Sequence, residues 1–186
     1  RLQTDFLDLY QLHNPDLETL RRGGLFEPLE RLKRKGWIRH YGVSIHMPAE
    51  GLEAVRGGQA ETLQLIYNMI DQRAAAEVLP LAQAEGVGVI AREPFACGLL
   101  TGKYGKDARF SGPDHRKRWS REKIAGDLDK LERVKPVLAS KKAPLTVLGL
   151  EFILGHEAVA TVIPGAKTVA QVAENLHASA DSCLSG

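Results

Sequence analysis

An α/β fold on a parallel sheet is predicted for this 186-residue chain by three observations. Short apolar runs are bounded by turn-forming residues, segments of helical period lie between them, and the two alternate at about 25 to 30 residues per unit. Strand-like runs occur at Phe6–Leu12, Ile38–Ser44, Thr62–Tyr67, Val87–Ala91 and Ala160–Ile163, each flanked by Gly, Pro, Asn or Asp. Leu25, Leu29 and Leu32, with charges between them, make an amphipathic helix that Gly36 ends. Pro48–Val55 follows a helix-start pattern, Ala74–Ala84 repeats apolar residues at helical spacing before Gly86, and Pro144–Leu154 and Val169–Ala178 supply the last two helices. Alternation of this kind requires right-handed crossovers between parallel strands, and residues 1–186 read as a single domain without repeats.

The segment from Thr101 to Lys142 departs from the pattern. It carries Gly102, Gly105, Gly112, Pro113 and many basic residues, and it reads as a long loop with an added helix around Leu128–Leu138. Such a loop leaves the C-terminal edge of a parallel sheet, where ligands bind. Its Arg116-Lys117-Arg118 run reads as a solvated surface or an anion lid, since a formal net charge of +2 argues against nucleic acid as a partner.

Composition sets further bounds. With 44% hydrophobic and 26% charged residues the chain falls among ordinary globular proteins. No apolar run approaches the roughly 18 to 20 residues that cross a bilayer, so no membrane partner is expected. The first residues have neither the layout of a signal peptide nor an initiating Met, so the chain is expected to be an internal fragment or a processed product. Cys97 and Cys183 are too few and too far apart for a disulfide framework or a paired metal motif, which predicts reduced thiols and a cytoplasmic location. No metal-ligand spacing occurs, and His156-Glu157 reads as a helix C-terminal turn.

Four places carry candidate chemistry. His13 ends the first strand before Asn14-Pro15, and side chains alternating with period two put Leu7, Leu9, Gln11 and His13 on one face. A histidine at that rim can donate or shuttle a proton near neutral pH. Ser44 ends the second strand with a hydroxyl, while Gln64, Tyr67 and Asn68 line or end the third, and a buried Gln64 needs a partner in the protein or in an amide-bearing ligand. After the fourth strand, Gly98 and Gly102 permit close backbone approach while Arg92 and Lys103 offer positive charge to a diphosphate. Finally, Ile163-Pro164-Gly165-Ala166-Lys167-Thr168 breaks a short strand, exposes backbone N–H groups and opens a helix, the arrangement that holds a phosphate. Neither glycine segment has the spacing of a dinucleotide-fold or P-loop motif.

Taken together, five stretches resemble the aldo-keto reductases, in that family's order. They are Asp8-Leu9-Tyr10-Gln11-Leu12-His13, Ile38-Arg39-His40-Tyr41-Gly42-Val43-Ser44, Gln64-Leu65-Ile66-Tyr67-Asn68, Gly98-Leu99-Leu100-Thr101-Gly102-Lys103-Tyr104, and Ile163 through Lys167 on to Glu174-Asn175. The resemblance implies a partial (β/α)8 barrel of about five βα units, corresponding to strands four to eight, with the first three units absent from this chain. It implies reduction of a small-molecule aldehyde or ketone with NADPH.

Carried over by position, His13 resembles the active-site histidine that orients the substrate carbonyl. Ser44 and Gln64 resemble the groups that hold the nicotinamide carboxamide, with Asn68 beside them. Phe95, Gly98, Leu99 and Lys103 match the loop over the diphosphate, and Gly165, Lys167, Thr168, Gln171, Glu174 and Asn175 match the adenosine and 2′-phosphate site. Two residues depart from the family pattern: Ile45 stands where Asn commonly follows the Ser, and Arg92 stands where a Tyr commonly stacks under the nicotinamide, a role a guanidinium plane can also serve. The resemblance places the family's Tyr acid, with its Lys and Asp, before Arg1, so the isolated chain is expected to lack turnover. The missing N-terminal part or a second copy is expected to cover the open side, since an incomplete barrel leaves strand edges bare. Two rival readings are a nucleotide-binding, redox-sensing accessory protein of the same fold, and an unrelated phosphate-binding barrel such as an isomerase or lyase.

Overall fold

The computed structural model describes residues 2–58 and 60–180. Five strands form one sheet in sequential order: β1 (Leu7–His13), β2 (Ile38–Ser44), β3 (Thr62–Ile66), β4 (Gly88–Arg92) and β5 (Val159–Val162). The first three pairings are parallel. All five predicted strands are present, and the architecture is consistent with a (β/α) barrel. The helices are α1 (Leu17–Arg22), α2 (Glu27–Arg34), α3 (Pro48–Arg56), α4 (Val78–Ala84), α5 (Arg121–Leu138), α6 (Leu145–Leu154) and α7 (Val169–Ala180). No helix among the described residues is long and apolar enough to cross a membrane.

The chain divides into two compact units. Among the described residues, the first comprises 2–58, 60–66, 73–92 and 157–161, and the second 67–72, 93–156 and 162–180.

In the first unit the two faces of the sheet differ. Val43, Leu63, Leu65, Val89 and Ala91 point to one face and are buried, while α2 packs on β2 and α4 on β4. Thr62, Gln64, Ile66, Ile90 and Arg92 point the other way and are half-buried. Strict alternation follows from the period of two along each strand. Gly42 is forced by its surroundings, because a Cβ there would lie 2.0 Å from Thr62 Oγ1 and 2.2 Å from the Thr62 carbonyl oxygen. The bare backbone lets Gln11, its register neighbour on β1, reach across to donate from Nε2 to Thr62 Oγ1 at 2.8 Å.

Helix boundaries show which local signals decide. Helix α4 begins at Val78, not Ala74 as the apolar spacing predicts. Pro80 explains the difference: a start at Ala74 would put it in the helix interior, whereas a start at Val78 leaves it in the first turn, where its missing N–H is harmless. Helix α1 is absent from the sequence reading; Asp16 caps it, its carboxylate accepting Thr19 N–H at 2.7 Å.

In the second unit α5 starts seven residues before Leu128, at a Ser120 cap that accepts Lys123 N–H at 3.1 Å. Its inner side adds Ile124, Leu128 and Leu131 to a core with Met69, Ile70, Leu99, Leu100 and Leu148. A short 3-10 turn, Ala96–Thr101, leads into the predicted loop, and a second, His115–Arg118, lies within it. Cys183 lies outside the described residues.

Candidate functional site

Parallel register assembles the first candidate set. His13 pairs with Ser44 and Ser44 with Gln64, so the three residues form one row across the C-terminal ends of β1, β2 and β3. Gln64 continues the row to Ile90, and two residues nearer the strand ends Ile66 pairs with Arg92. The Ser44 hydroxyl donates to Asn14 Oδ1 at 3.0 Å, and Asn14 Nδ2 lies 3.1 Å from His13 Nε2. An amide NH2 only donates, so this contact suits an acceptor Nε2 on His13. Asn14, with φ of 50°, is thus a member of the row that sequence reasoning missed; its only signal is its place beside His13 and Pro15. The side chain of Gln64 makes no hydrogen bond among the described residues. A half-buried carboxamide with both its donor and its acceptor available, beside a hydroxyl, fits the paired C=O and NH2 of a nicotinamide carboxamide.

Arg92 is held by Ile45 and His46. Its Nη2 donates to the Ile45 carbonyl at 3.2 Å and lies 3.0 Å from His46 Nδ1. The two departures from the family pattern, Ile45 and Arg92, therefore touch one another. The segment is fixed by Glu50, whose Oε2 accepts the N–H groups of His46 and Met47 at 2.8 and 2.9 Å at the start of α3.

Four described tyrosines have other occupations. Tyr10 and Tyr41 pair with each other on the opposite face of the sheet from His13. Burial and the Glu30 carboxylate, which accepts its hydroxyl at 3.0 Å, push the Tyr41 phenol up to about 12. In the second unit Tyr67 is buried, its pKa raised by burial, and it packs on Phe152 and His156. Tyr104 OH accepts a hydrogen bond from Arg116.

The second unit holds the remaining candidates. Asn68 is fully buried and builds a turn: its Oδ1 accepts Ile70 and Asp71 N–H, and its Nδ2 donates to the Glu93 carbonyl at 3.0 Å. Beyond Glu93 the backbone turns left-handed at Glu93, Ala96, Cys97, Gly98 and Gly102. Non-glycine residues adopt this region only under constraint. The constraint here is a set of bonds to Cys97: its Sγ donates to Glu93 Oε2 at 3.2 Å and its carbonyl accepts Arg116 Nη1 at 2.7 Å. Burial, with Glu93 adding to it, pushes the Cys97 thiol up to about 12. Gly98, with φ of 94°, has Arg116 Nη1 and Tyr104 within 3.4 and 3.5 Å of where a Cβ would sit. Its own N–H donates to the Phe95 carbonyl at 2.8 Å. The side chain of Leu99 is sealed in the core, so any contact it makes with a ligand is through its backbone. Lys103 is exposed.

Arg116 corrects the reading of its basic run as a solvated surface. Lys117 and Arg118 face water, but the Arg116 side chain is only 14% exposed and lies over the Phe110 and Tyr104 rings at 3.9 and 4.8 Å. It also grips Asp114, with Nη2 to Oδ2 at 2.7 Å, and its hydrogen bonds lower the Asp114 carboxyl to about 2.

At the start of α7, Thr168 Oγ1 accepts Gln171 N–H at 3.2 Å and Gln171 Oε1 accepts Lys167 N–H at 2.6 Å. Thr168 and Gln171 thus cap the helix, a use the sequence reading did not assign. The Glu174 carboxylate accepts the Thr146 hydroxyl and joins α7 to α6, and Asn175 is half-buried beside it. Nothing crowds Gly165 within 4 Å. Lys167 is exposed and makes no ion pair among the described residues, beside an N-terminus that favours anions. Among the described residues no three His, Cys, Asp or Glu side chains converge as metal ligands.

The Aldo/keto reductase family profile matches residues 1–184. The uncharacterized oxidoreductase YqkF of Bacillus subtilis is 34% identical over 180 residues, covering 96% of this chain and 56% of that protein. The NADH-specific methylglyoxal reductase of Escherichia coli is 30% identical over 188 residues, covering 96% and 56%. Among solved structures, the apo form of aldo-keto reductase AKR11C1 from Bacillus halodurans superposes with a TM-score of 0.79 at 31% identity, covering 100% of this chain and 60% of that one. The chain therefore spans little more than half the length of the curated relatives it matches. Because the profile runs the length of the chain, it does not support the narrower expectation of a C-terminal part, nor is the absence of three barrel units confirmed. On the strength of the profile and these relatives, the chain belongs to the aldo/keto reductase family.

Proposed function

We propose that this chain carries nicotinamide-nucleotide-binding groups of a carbonyl-reducing oxidoreductase, with NADPH as donor and an aldehyde or ketone as acceptor. The observation that carries the reading is the unengaged Gln64 carboxamide in register with Ser44 and His13. When bound, the reduced nicotinamide supplies a hydride. Gln64 and Ser44 pair with its carboxamide and fix the orientation of the ring. His13, its Nε2 held by Asn14, is an orienting group for the carbonyl rather than the acid that protonates the oxygen.

In the second unit the turn at Ala96–Thr101 is set stiffly enough to offer backbone groups to a diphosphate, and Lys103 adds charge. Lys167 takes the 2′-phosphate, which is the ground for NADPH over NADH. The Escherichia coli relative is NADH-specific by name, so the choice needs a direct test. Titration of the chain into NADPH and NADH, followed by nicotinamide fluorescence, is expected to show tighter binding of NADPH. Lys167→Ala is expected to weaken NADPH by about tenfold and NADH little, while Gln64→Ala weakens both. Absence of binding by either nucleotide would end this reading.

A further inference from the structure

A groove of about 560 Å³ in the second unit has no part in the nucleotide reading. One wall is a stripe of α5 at helical spacing, Lys130, Arg133, Val134, Val137 and Leu138. The facing wall is the Met69–Gln72 segment, held in place by Asn68, with Phe152 of α6 between them, its ring 5.5 Å from that of Tyr67. The lining is mostly apolar, and Val137 is 76% exposed, so hydrocarbon meets water there among the described residues. Methionine in such a wall adapts to chains of different shape.

The charges are one-sided. Two cations and no acidic side chain line the groove. Lys130 is shared with Asp127 at 3.2 Å, whereas Arg133 makes no ion pair among the described residues. We propose that this groove binds an amphipathic carboxylate, an unbranched alkyl chain lying along Met69, Val134 and Phe152 with its head on Arg133. The volume is that of a small-molecule site. A guanidinium fork matches a carboxylate geometrically as an ammonium does not.

The test is calorimetric titration of the full chain with decanoate below its micellar concentration, with decyltrimethylammonium as the control of equal chain length. Saturable binding of decanoate at one site is expected, with none of the cation. Arg133→Gln and Val137→Asp change exposed positions and are expected to keep the wild-type melting curve while each weakens decanoate by about tenfold. The proposal is overturned if decanoate fails to saturate, if the cationic amphiphile binds as well, or if both variants bind like the wild type. No nucleotide enters the experiment, so its outcome is independent of the proposed function.

Discussion

Alanine in place of Gly42 is expected to wedge β2 away from β3. Its Cβ would stand 2.2 Å from the Thr62 carbonyl oxygen, against the 3.4 Å of ordinary contact, and backbone cannot swing aside as a side-chain tip can. The strands must part by about 1.2 Å, which stretches bonds such as Ile45 N–H to the Gln64 carbonyl, now 2.9 Å, past useful hydrogen-bonding range. Overpacking of this kind costs about 1 to 3 kcal/mol, and each lost bond adds ~1 kcal/mol, so ~3 kcal/mol or more is expected. For a chain of this size that corresponds to a fall of roughly 6 to 12 °C in melting midpoint. Thermal melts followed by circular dichroism measure it. The folded fraction should also hold nicotinamide nucleotide less well, because Ser44 rides on β2 two residues further on. A Gly42→Ala protein melting within about 2 °C of wild type would refute the steric reasoning.

Further outcomes follow from the same geometry. Gly126 lies in α5 with nothing within 4 Å of its Cβ position and ordinary φ, so Gly126→Ala is expected to stabilise by about 0.5 to 1 kcal/mol, read in the same melts. Glu61 is partly buried, which raises its pKa, but hydrogen bonds from Lys33 at 2.7 Å and His40 at 2.6 Å outweigh burial and lower it. A carboxyl lowered in the folded state adds stability above the ordinary glutamate range and loses it as pH falls through the folded value. The gap in melting midpoint between wild type and Glu61→Gln should therefore close on acidification from pH 7 to about 3. Cys97, with its thiol pushed up to about 12, should be alkylated at pH 8 roughly a thousandfold more slowly than in the unfolded chain; Glu93→Gln should speed it, as mass spectrometry of the Cys97 peptide would show.

The strands were legible because each is a compact apolar run between turn formers, and the parallel register then does what no single residue announces, bringing His13, Ser44 and Gln64 into one row. Asn14 was not legible, since its bonds to both Ser44 and His13 exist only once β1 and β2 lie side by side. Helix α4 misled because apolar spacing continues through Ala74–Ala76 while Pro80, six residues on, sets the start. Arg116 was indistinguishable from Lys117 and Arg118 in sequence. Only the aromatic rings of Tyr104 and Phe110, brought close by the fold, single it out.

The fastening at Arg116 has a consequence in chain statistics. Its bond to the Cys97 carbonyl joins points 19 residues apart, and closing a ring of that length carries an entropic toll of ~2.6 kcal/mol. Guanidinium, ring faces and carbonyl offset that toll together with the burial of Leu99 and Leu100 in the core. Loss of the Arg116 bonds is thus expected to loosen the mostly exposed stretch from Gly105 to Gly112, while Leu99 and Leu100 hold the start of the segment in the core.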